Sequence, residues 1–124
     1  MTILIDSDIL IEVLRGRDTR IVEDWLKWSA STDPILYSPV SQAELWAGAR
    51  PSEHDAIANL FRALQCVPID GEIGHLAGDY LRQYQKSHSL ELGDALIAAS
   101  AVLRNATVWT RNRKHYPMRA LSLL

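Results

Sequence analysis

Short β-prone segments alternate with segments of helical periodicity along this chain, and that alternation constrains its fold more than any other feature. The β-prone segments are three to five residues long, and the stretches between them repeat their apolar residues every three or four positions. Strands are predicted at 3–5, 35–38, 67–69 and 107–110. The pattern predicts an α/β fold with three layers, in which helices cover both faces of a short-stranded, mostly parallel sheet.

Six helices are predicted between and around these strands. One begins after the first strand and ends near Gly16, and the others cover about 20–30, 41–49, 57–64, 73–84 and 94–103. The third is expected to begin at Ser41, because Ser41-Gln42-Ala43-Glu44 matches a capping box. The lone Cys66 has no disulfide partner in the chain and is expected to be a small buried hydrophobe.

Length and composition favour one globular domain over residues 1–124. The chain is 48% apolar and 23% charged, and its formal net charge of −2 is not the strongly basic balance of many nucleic-acid-binding proteins. The longest apolar stretch, Ala95 to Leu103, is about half the ~20 residues that cross a bilayer. Because Asp6 and Asp8 interrupt the first apolar segment, no signal peptide is indicated and a cytoplasmic location is expected.

Three acidic residues lie where an apolar or β-prone run is followed by a helix, namely Asp6, Glu44 and Asp94. Each has a plain structural explanation. Asp6 fits the N-cap of the first helix, Glu44 fits the capping box, and Asp94 fits a first-turn acid favoured by the helix dipole. The sequence pattern taken residue by residue does not separate these roles from a functional one.

Taken together, the three acids predict a site for a divalent cation. Strand-to-helix junctions of a parallel sheet meet at one edge, so these carboxylates are expected to converge there. Converging carboxylates repel one another unless a proton or a cation binds. Oxygen ligands suit Mg²⁺ or Mn²⁺, and the absence of His-x-His, Cys-x-x-Cys and His-Glu-x-x-His spacings disfavours zinc.

Four strings in this order resemble the PIN-domain nucleases, and within them the VapC-type toxins of type II toxin–antitoxin pairs. The strings are Leu4-Ile5-Asp6-Ser7-Asp8-Ile9-Leu10-Ile11, Ser41-Gln42-Ala43-Glu44-Leu45-Trp46-Ala47-Gly48, Gly93-Asp94-Ala95-Leu96-Ile97-Ala98-Ala99 and Trp109-Thr110-Arg111-Asn112-Arg113-Lys114-His115-Tyr116. The resemblance runs nearly from end to end. It implies a PIN-like fold and an endoribonuclease that uses Mg²⁺ or Mn²⁺.

The resemblance also implies roles for particular residues. Asp6, Glu44 and Asp94 would be metal ligands and catalytic residues. Asn112 occupies the position where family members often carry a fourth acid, and a turn residue is an equally good explanation for it. A second permanently bound metal is therefore less expected, because Asn brings no charge.

Basic residues near the last motif are candidates for holding RNA phosphates, with a solvated surface turn as the alternative. They are Arg111, Arg113 and Lys114, together with Arg15 at the end of the first helix. Asp8 and Thr110 are candidates for supporting the metal site. His115 is left out of the chemistry, because no carboxylate in the sequence pattern is placed to orient it.

The resemblance implies hydrolysis of an RNA phosphodiester by a metal-activated water, and it implies a homodimer paired with a VapB-like antitoxin. No membrane partner is expected. Trp25, Trp28 and Trp46 lie on helices that could form the dimer or antitoxin surface. Two alternatives stay open. One is a haloacid-dehalogenase-like phosphatase with Asp6 as nucleophile, although Ala98 stands where that family wants a further acid. The other is an inactive PIN-like module that binds RNA or protein.

Overall fold

The computed structural model of the chain describes all 124 residues and contains one parallel sheet of five short strands. The strands are β1 (Ile3–Ile5), β2 (Ile35–Tyr37), β3 (Gln65–Cys66), β4 (Thr107–Trp109) and β5 (Ser122–Leu123). Their order across the sheet is β3-β2-β1-β4-β5, and every neighbouring pair is parallel. Since β1 is central, the residue that follows it lies in the middle of the carboxyl edge.

Six α-helices connect and cover these strands: α1 (Ser7–Arg15), α2 (Thr19–Ser29), α3 (Pro39–Ala47), α4 (His54–Arg62), α5 (Gly71–His88) and α6 (Leu92–Leu103). Single turns of 3₁₀-helix occur at Pro51–Glu53 and Arg113–His115. The predicted α/β fold with a short-stranded parallel sheet is confirmed. None of the helices combines the length and the apolar composition that crossing a bilayer requires.

The three central strands β1, β2 and β4 are buried, and their side chains alternate between two separate cores. Leu4, Leu36 and Val108 face a core formed with α5 and α6. Their strand neighbours, such as Ile5 and Trp109, face a second core formed with α1, α2 and α4. This period of two is what a strand between two helical layers requires, so the sheet is the middle of three layers.

The start of α3 differs from the prediction. Ser38 is the N-cap, with its side chain accepting a hydrogen bond from the N–H of Val40, and Pro39 occupies the first helical turn. The capping box proposed for Ser41 and Glu44 is therefore wrong. A proline is well suited to the first position of a helix because it has no N–H to leave unpaired. The helix therefore begins at Pro39, two residues before the predicted start at Ser41.

The third strand also differs from the prediction. It covers Gln65–Cys66 rather than 67–69, and Val67 follows it, fully buried. Cys66 is exposed, so the prediction of a buried hydrophobe is wrong. The strand lies at the edge of the sheet, where only one neighbour, β2, covers it.

Candidate active site

An open cavity of about 410 Å³ lies next to the end of β1, and the sequence-predicted residues Asp6, Glu44, Asp94 and Asn112 all line it. Residues separated by up to 106 positions in the chain therefore meet around one space. The remaining lining residues are Ser7, Asp8, Ile11, Ser89, Glu91 and His115. The wall is almost wholly polar and carries five carboxyl groups, so the cavity is strongly acidic.

Asp6 is the most tightly held of these acids. It directly follows β1 and is the N-cap of α1, with Oδ1 accepting from the N–H of Ser7 at 2.8 Å. Its Oδ2 accepts from the Thr110 hydroxyl at 2.8 Å and from the Tyr116 hydroxyl at 3.0 Å. The Asp6 residue is only 7% exposed. A carboxylate offers about four lone-pair positions, so the free one lies on Oδ1.

Tyr116 can act only as a donor to Asp6. Its own burial, followed by the charge of Asp6, raises the pKa of the Tyr116 hydroxyl above its usual range. The hydroxyl therefore stays protonated, and its hydrogen bond orients the Asp6 carboxylate. Thr110 is held in turn, since its Oγ1 accepts from the N–H of Asn112 at 3.0 Å.

Glu44 reaches the cavity from the sixth residue of α3, one turn deeper in the helix than the sequence pattern suggested. The Ser7 hydroxyl donates to Glu44 Oε1 at 3.1 Å, and Ser7 Oγ lies 3.0 Å from Ser41 Oγ. Ser41 is completely buried. The two serines thus connect the first turn of α1 to α3 and hold Glu44 beside Asp6.

Asp94 reaches the cavity from the first turn of α6, which follows α5 rather than a strand. The premise that each acid follows a strand is therefore wrong for this residue. Asp94 Oδ2 accepts a long hydrogen bond from the N–H of Glu91 at 3.4 Å, so Asp94 also helps to cap the start of α6. His115 Nδ1 lies 3.8 Å from the same oxygen. The sequence interpretation that found no carboxylate beside His115 is wrong.

The acids of the cavity disfavour one another's charge. Burial raises the pKa of Glu44, and the charges of Asp6 and Asp94 raise it further, against the lowering effect of the Ser7 hydrogen bond. Burial also raises the pKa of Asp94, with Asp6 adding to the shift and His115 opposing it. These are oxygen donors carrying excess negative charge, which is the ligand set that Mg²⁺ or Mn²⁺ prefers.

The donor set fits a divalent cation, although the side chains do not form a closed ligand cluster. No three His, Cys, Asp or Glu side chains are close enough together to constitute a preformed metal site. The carboxylates face a shared open space instead. The metal-binding and catalytic roles of Asp6, Glu44, Asp94 and Asn112 stay predictions at this point.

Asp8 ties the loop after β4 to α1. Its Oδ1 accepts from the N–H of Ile9 at 2.8 Å, and its Oδ2 accepts from the N–H of Arg111 at 2.9 Å. Burial, followed by the charge of Asp6, raises the pKa of Asp8. Asn112 lines the cavity, and its backbone N–H donates to the Thr110 hydroxyl.

None of the four predicted phosphate-binding bases lines the acidic cavity. The Arg111 guanidinium lies 3.4 Å from Glu12 and 3.7 Å from Asp18, so its charge is directed toward α1 and α2. Arg113 donates to the carbonyl of Leu124 at 3.3 Å, and Lys114 is exposed. Arg15 lines a neighbouring small cavity together with Glu44. Their contact with RNA stays a prediction.

Three residues of the site were missed from the sequence: Ser7, Tyr116 and Glu91. Ser7 follows Asp6 directly, and its polar side chain in the first turn of an otherwise apolar helix face was an available signal. Glu91 stands three residues before Asp94, the spacing of a helix N-cap. Tyr116 offered no such signal, because its contact with Asp6 spans 110 residues of chain.

The fold and the cavity together define a class of protein: a three-layer α/β protein with an acidic cavity at the carboxyl edge of a parallel sheet. The PIN domain family model matches residues 3–120. The chain belongs to the PIN-domain family. The haloacid-dehalogenase-like alternative is therefore set aside.

Relatives of known name support the same family. The chain is 39% identical over 117 residues to ribonuclease VapC10 of Mycobacterium tuberculosis, covering 94% of this chain and 86% of that protein. It is 33% identical over 116 residues to ribonuclease VapC19 of the same organism, covering 93% and 92%. A structure of VapBC2 from Rickettsia felis bound to a DNA fragment from its promoter shares the fold, with a TM-score of 0.80 at 23% identity and coverage of 100% and 98%.

Removal of the Tyr116 hydroxyl tests its contact with Asp6. We expect Tyr116→Phe to lower the free energy of unfolding by about 1–2 kcal/mol, because a buried hydrogen bond to a carboxylate is lost. Urea denaturation at pH 7 measures the change. Tyr80→Phe is the matched control, since Tyr80 is also buried but lies outside the acidic cavity. Equal effects of the two changes would show that the contact with Asp6 contributes nothing.

Repulsion within the cavity predicts a stabilising substitution. A carboxyl group whose pKa is higher in the folded state binds protons more tightly when folded, so stability falls as pH rises from its ordinary pKa through the raised one. We expect Glu44→Gln to raise the melting temperature in EDTA at pH 7, on the order of a few degrees at most, and to lose that advantage near pH 4. Thermal unfolding followed by circular dichroism measures both.

The control for this substitution is Glu23→Gln on the exposed face of α2. It removes one negative charge without touching the cavity. A destabilised Glu44→Gln protein at pH 7 would mean that the Ser7 hydrogen bond outweighs the carboxylate repulsion.

Proposed function

We propose that this protein is a divalent-metal-dependent endoribonuclease and the toxin of a type II toxin–antitoxin pair. The observation that carries the proposal is the meeting of Asp6, Glu44 and Asp94 around one acidic cavity. Identity of 39% to a protein named ribonuclease VapC10, over nearly the whole chain, supports RNA as the substrate. The retained acids favour an enzyme over an inactive module.

In the proposed mechanism, Asp6 and Asp94 are the principal ligands of Mg²⁺ or Mn²⁺. A bound ion of this kind lowers the pKa of a water nucleophile and neutralises charge that develops on the phosphate. Thr110, Tyr116 and the Ser7 N–H take three of the lone-pair positions of Asp6 and leave one on Oδ1 for the ion.

The other polar residues of the cavity would act on the nucleophile and substrate. Glu44, whose pKa is raised, would orient the attacking water or hold a second ion when substrate is present. Asn112 would hold a water through its side-chain amide, without adding charge. The proposed products carry 5′-phosphate and 3′-hydroxyl ends. Arg15, Arg111, Arg113 and Lys114 would contact the RNA outside the cavity.

Metal dependence and the role of the carboxylates are tested together by RNA cleavage. We expect the protein to cut RNA in Mg²⁺ or Mn²⁺ and to stop in excess EDTA. Asp94→Asn and Asp6→Asn should each lower kcat/KM about a hundredfold or more, since metal stabilisation is worth several kcal/mol. The products should accept ligation at their 5′ ends without prior phosphorylation.

Asp55→Asn on the exposed face of α4 provides the control for charge removal away from the cavity. It should keep full activity. Calorimetric titration with Mg²⁺ gives a second readout, because an inactive binding module would show no heat that depends on Asp94. Equal cleavage in EDTA and in Mg²⁺ would disprove the metal mechanism.

The proposed partner is a VapB-like antitoxin, and the proposed assembly contains a toxin homodimer. Solved relatives include VapBC-1 from nontypeable Haemophilus influenzae, at a TM-score of 0.81 and 22% identity. This chain has an apolar groove of about 630 Å³ between α3 and α4, lined by Tyr37, Trp46 and Phe61 among others. Trp46 is 52% exposed there, whereas Trp25 and Trp28 pack partly against the core.

We expect the product of an adjacent small reading frame to co-purify with this protein and to abolish its activity. Trp46→Glu should release that partner, because a charge in the apolar groove leaves a desolvated carboxylate unpaired. Leu26→Glu is the control, since Leu26 is also exposed but lies on α2. Sedimentation of the isolated protein should give a dimer mass. If Leu26→Glu but not Trp46→Glu released the partner, the partner would bind α2 rather than the apolar groove.

A further inference from the structure

A second open cavity, of about 600 Å³, lies beside the acidic one and is not used by the mechanism above. It is formed by the carboxyl end of α5 and by the segment 117–120. Its wall combines aromatic, apolar and basic side chains, whereas the wall of the acidic cavity is rich in carboxylates. The residues that matter here are Tyr80, Tyr84, His88, Met118 and Arg119.

The two cavities adjoin along two short stretches of chain. His88 lines the second cavity and Ser89, the next residue, lines the acidic one. His115 lines the acidic cavity and Pro117 lines the second. Because neighbouring Cα atoms are about 3.8 Å apart, the linings of the two cavities come within one or two residues of each other at both places. A polymer whose scissile bond lies in the acidic cavity is therefore long enough to reach the second cavity.

The second cavity has an aromatic wall. Tyr84 is half-buried, with its ring centroid 6.4 Å from that of Tyr80 and 5.6 Å from that of His88. The Tyr84 and His88 rings are nearly perpendicular, at 83°. Tyr80 and Met118 are buried beneath them. Aromatic side chains that line an open cavity are the groups on which proteins stack the unpaired bases of single-stranded RNA.

The cavity also carries a basic residue that is not engaged elsewhere. Arg119 is exposed on the segment 117–120 and makes no ion pair, whereas Arg111 is bound to Glu12 and Asp18. A guanidinium beside aromatic rings matches the two parts of a nucleotide. The guanidinium binds the phosphate, and an aromatic ring stacks against the base.

We propose that this cavity is a nucleobase subsite for single-stranded RNA, which receives a base flanking the scissile phosphodiester against Tyr84 and His88 while Arg119 holds a neighbouring phosphate. The subsite rests on the proposed ribonuclease function. The acidic cavity repels phosphate in the absence of metal. The subsite supplies the binding contacts that the acidic cavity lacks. It also places substrate selection in residues separate from those that perform the hydrolysis.

The test measures binding separately from cleavage. A fluorescein-labelled pool of single-stranded octaribonucleotides is titrated with the protein by fluorescence anisotropy, with Ca²⁺ in place of Mg²⁺ and gel analysis to verify that the probe is intact. We expect Tyr84→Leu and Arg119→Gln each to raise Kd by about tenfold, the usual effect of losing one base stack. Arg119 is exposed and makes no ion pair, so Arg119→Gln should leave folding undisturbed.

Matched controls separate stacking from charge. Arg82→Gln removes a charge from α5 outside the cavity, and His75→Leu removes an exposed aromatic ring from the same helix outside the cavity, so neither should change Kd. An abasic oligomer with the same ribose-phosphate backbone should lose affinity with Arg119→Gln but not with Tyr84→Leu.

Failure of the nucleobase subsite and failure of the proposed ribonuclease function give different results. If the protein binds the RNA pool and both variants bind it equally well, or if the protein does not bind the pool, the subsite is wrong. If the binding effects appear but the protein cleaves no RNA in Mg²⁺, the subsite stands as an RNA site and the proposed hydrolysis fails.

Discussion

The burial of one carboxylate, that of Asp6, is the constraint on which the rest of the site depends. A carboxylate removed from water is several kcal/mol unfavourable unless hydrogen-bond donors replace the lost solvent. The chain supplies those donors from three places: Ser7 at the start of α1, Thr110 after β4, and Tyr116 after the last 3₁₀ turn. The N–H of Asp6 also donates to the carbonyl of Trp109, which extends the β1–β4 pairing. Satisfying Asp6 therefore draws the two ends of the chain to the carboxyl edge of the sheet.

The same arrangement leaves the cavity with charge that the protein does not neutralise. Glu44 and Asp94 face the space beside Asp6, and His115 is the only basic side chain that lines it. Burial raises the pKa of both carboxyl groups, and the neighbouring negative charges raise it further. The proposed metal dependence accounts for this arrangement, because a bound divalent cation would relieve the repulsion between the carboxylates.

The sequence predicted the order and type of most helices and strands, because the residues that face a core recur at regular spacings in the chain. Its errors have physical causes that can be named. The start of α3 was misplaced because Ser41-x-x-Glu44 mimics a capping box, whereas Ser38-Pro39 is the true start. Cys66 was expected inside because it is in an apolar run, but a strand at the edge of a sheet has one side uncovered. Asp94 was grouped with the strand-to-helix junctions, whereas it lies in the first turn of α6, the second helix of the α5–α6 pair.

By itself, the sequence determined the class of fold and the identity of the acids, since local periodicity and short motifs lie within a few residues of one another. Only the tertiary structure decided how those acids are held and what lies next to them. One of the hydroxyls that orient Asp6 comes from Tyr116, and the cavity lined by His88 is completed by Met118 and Arg119. Such contacts join residues that are far apart in the chain, and they exist only when the sheet brings the segments together, so no local pattern can encode them.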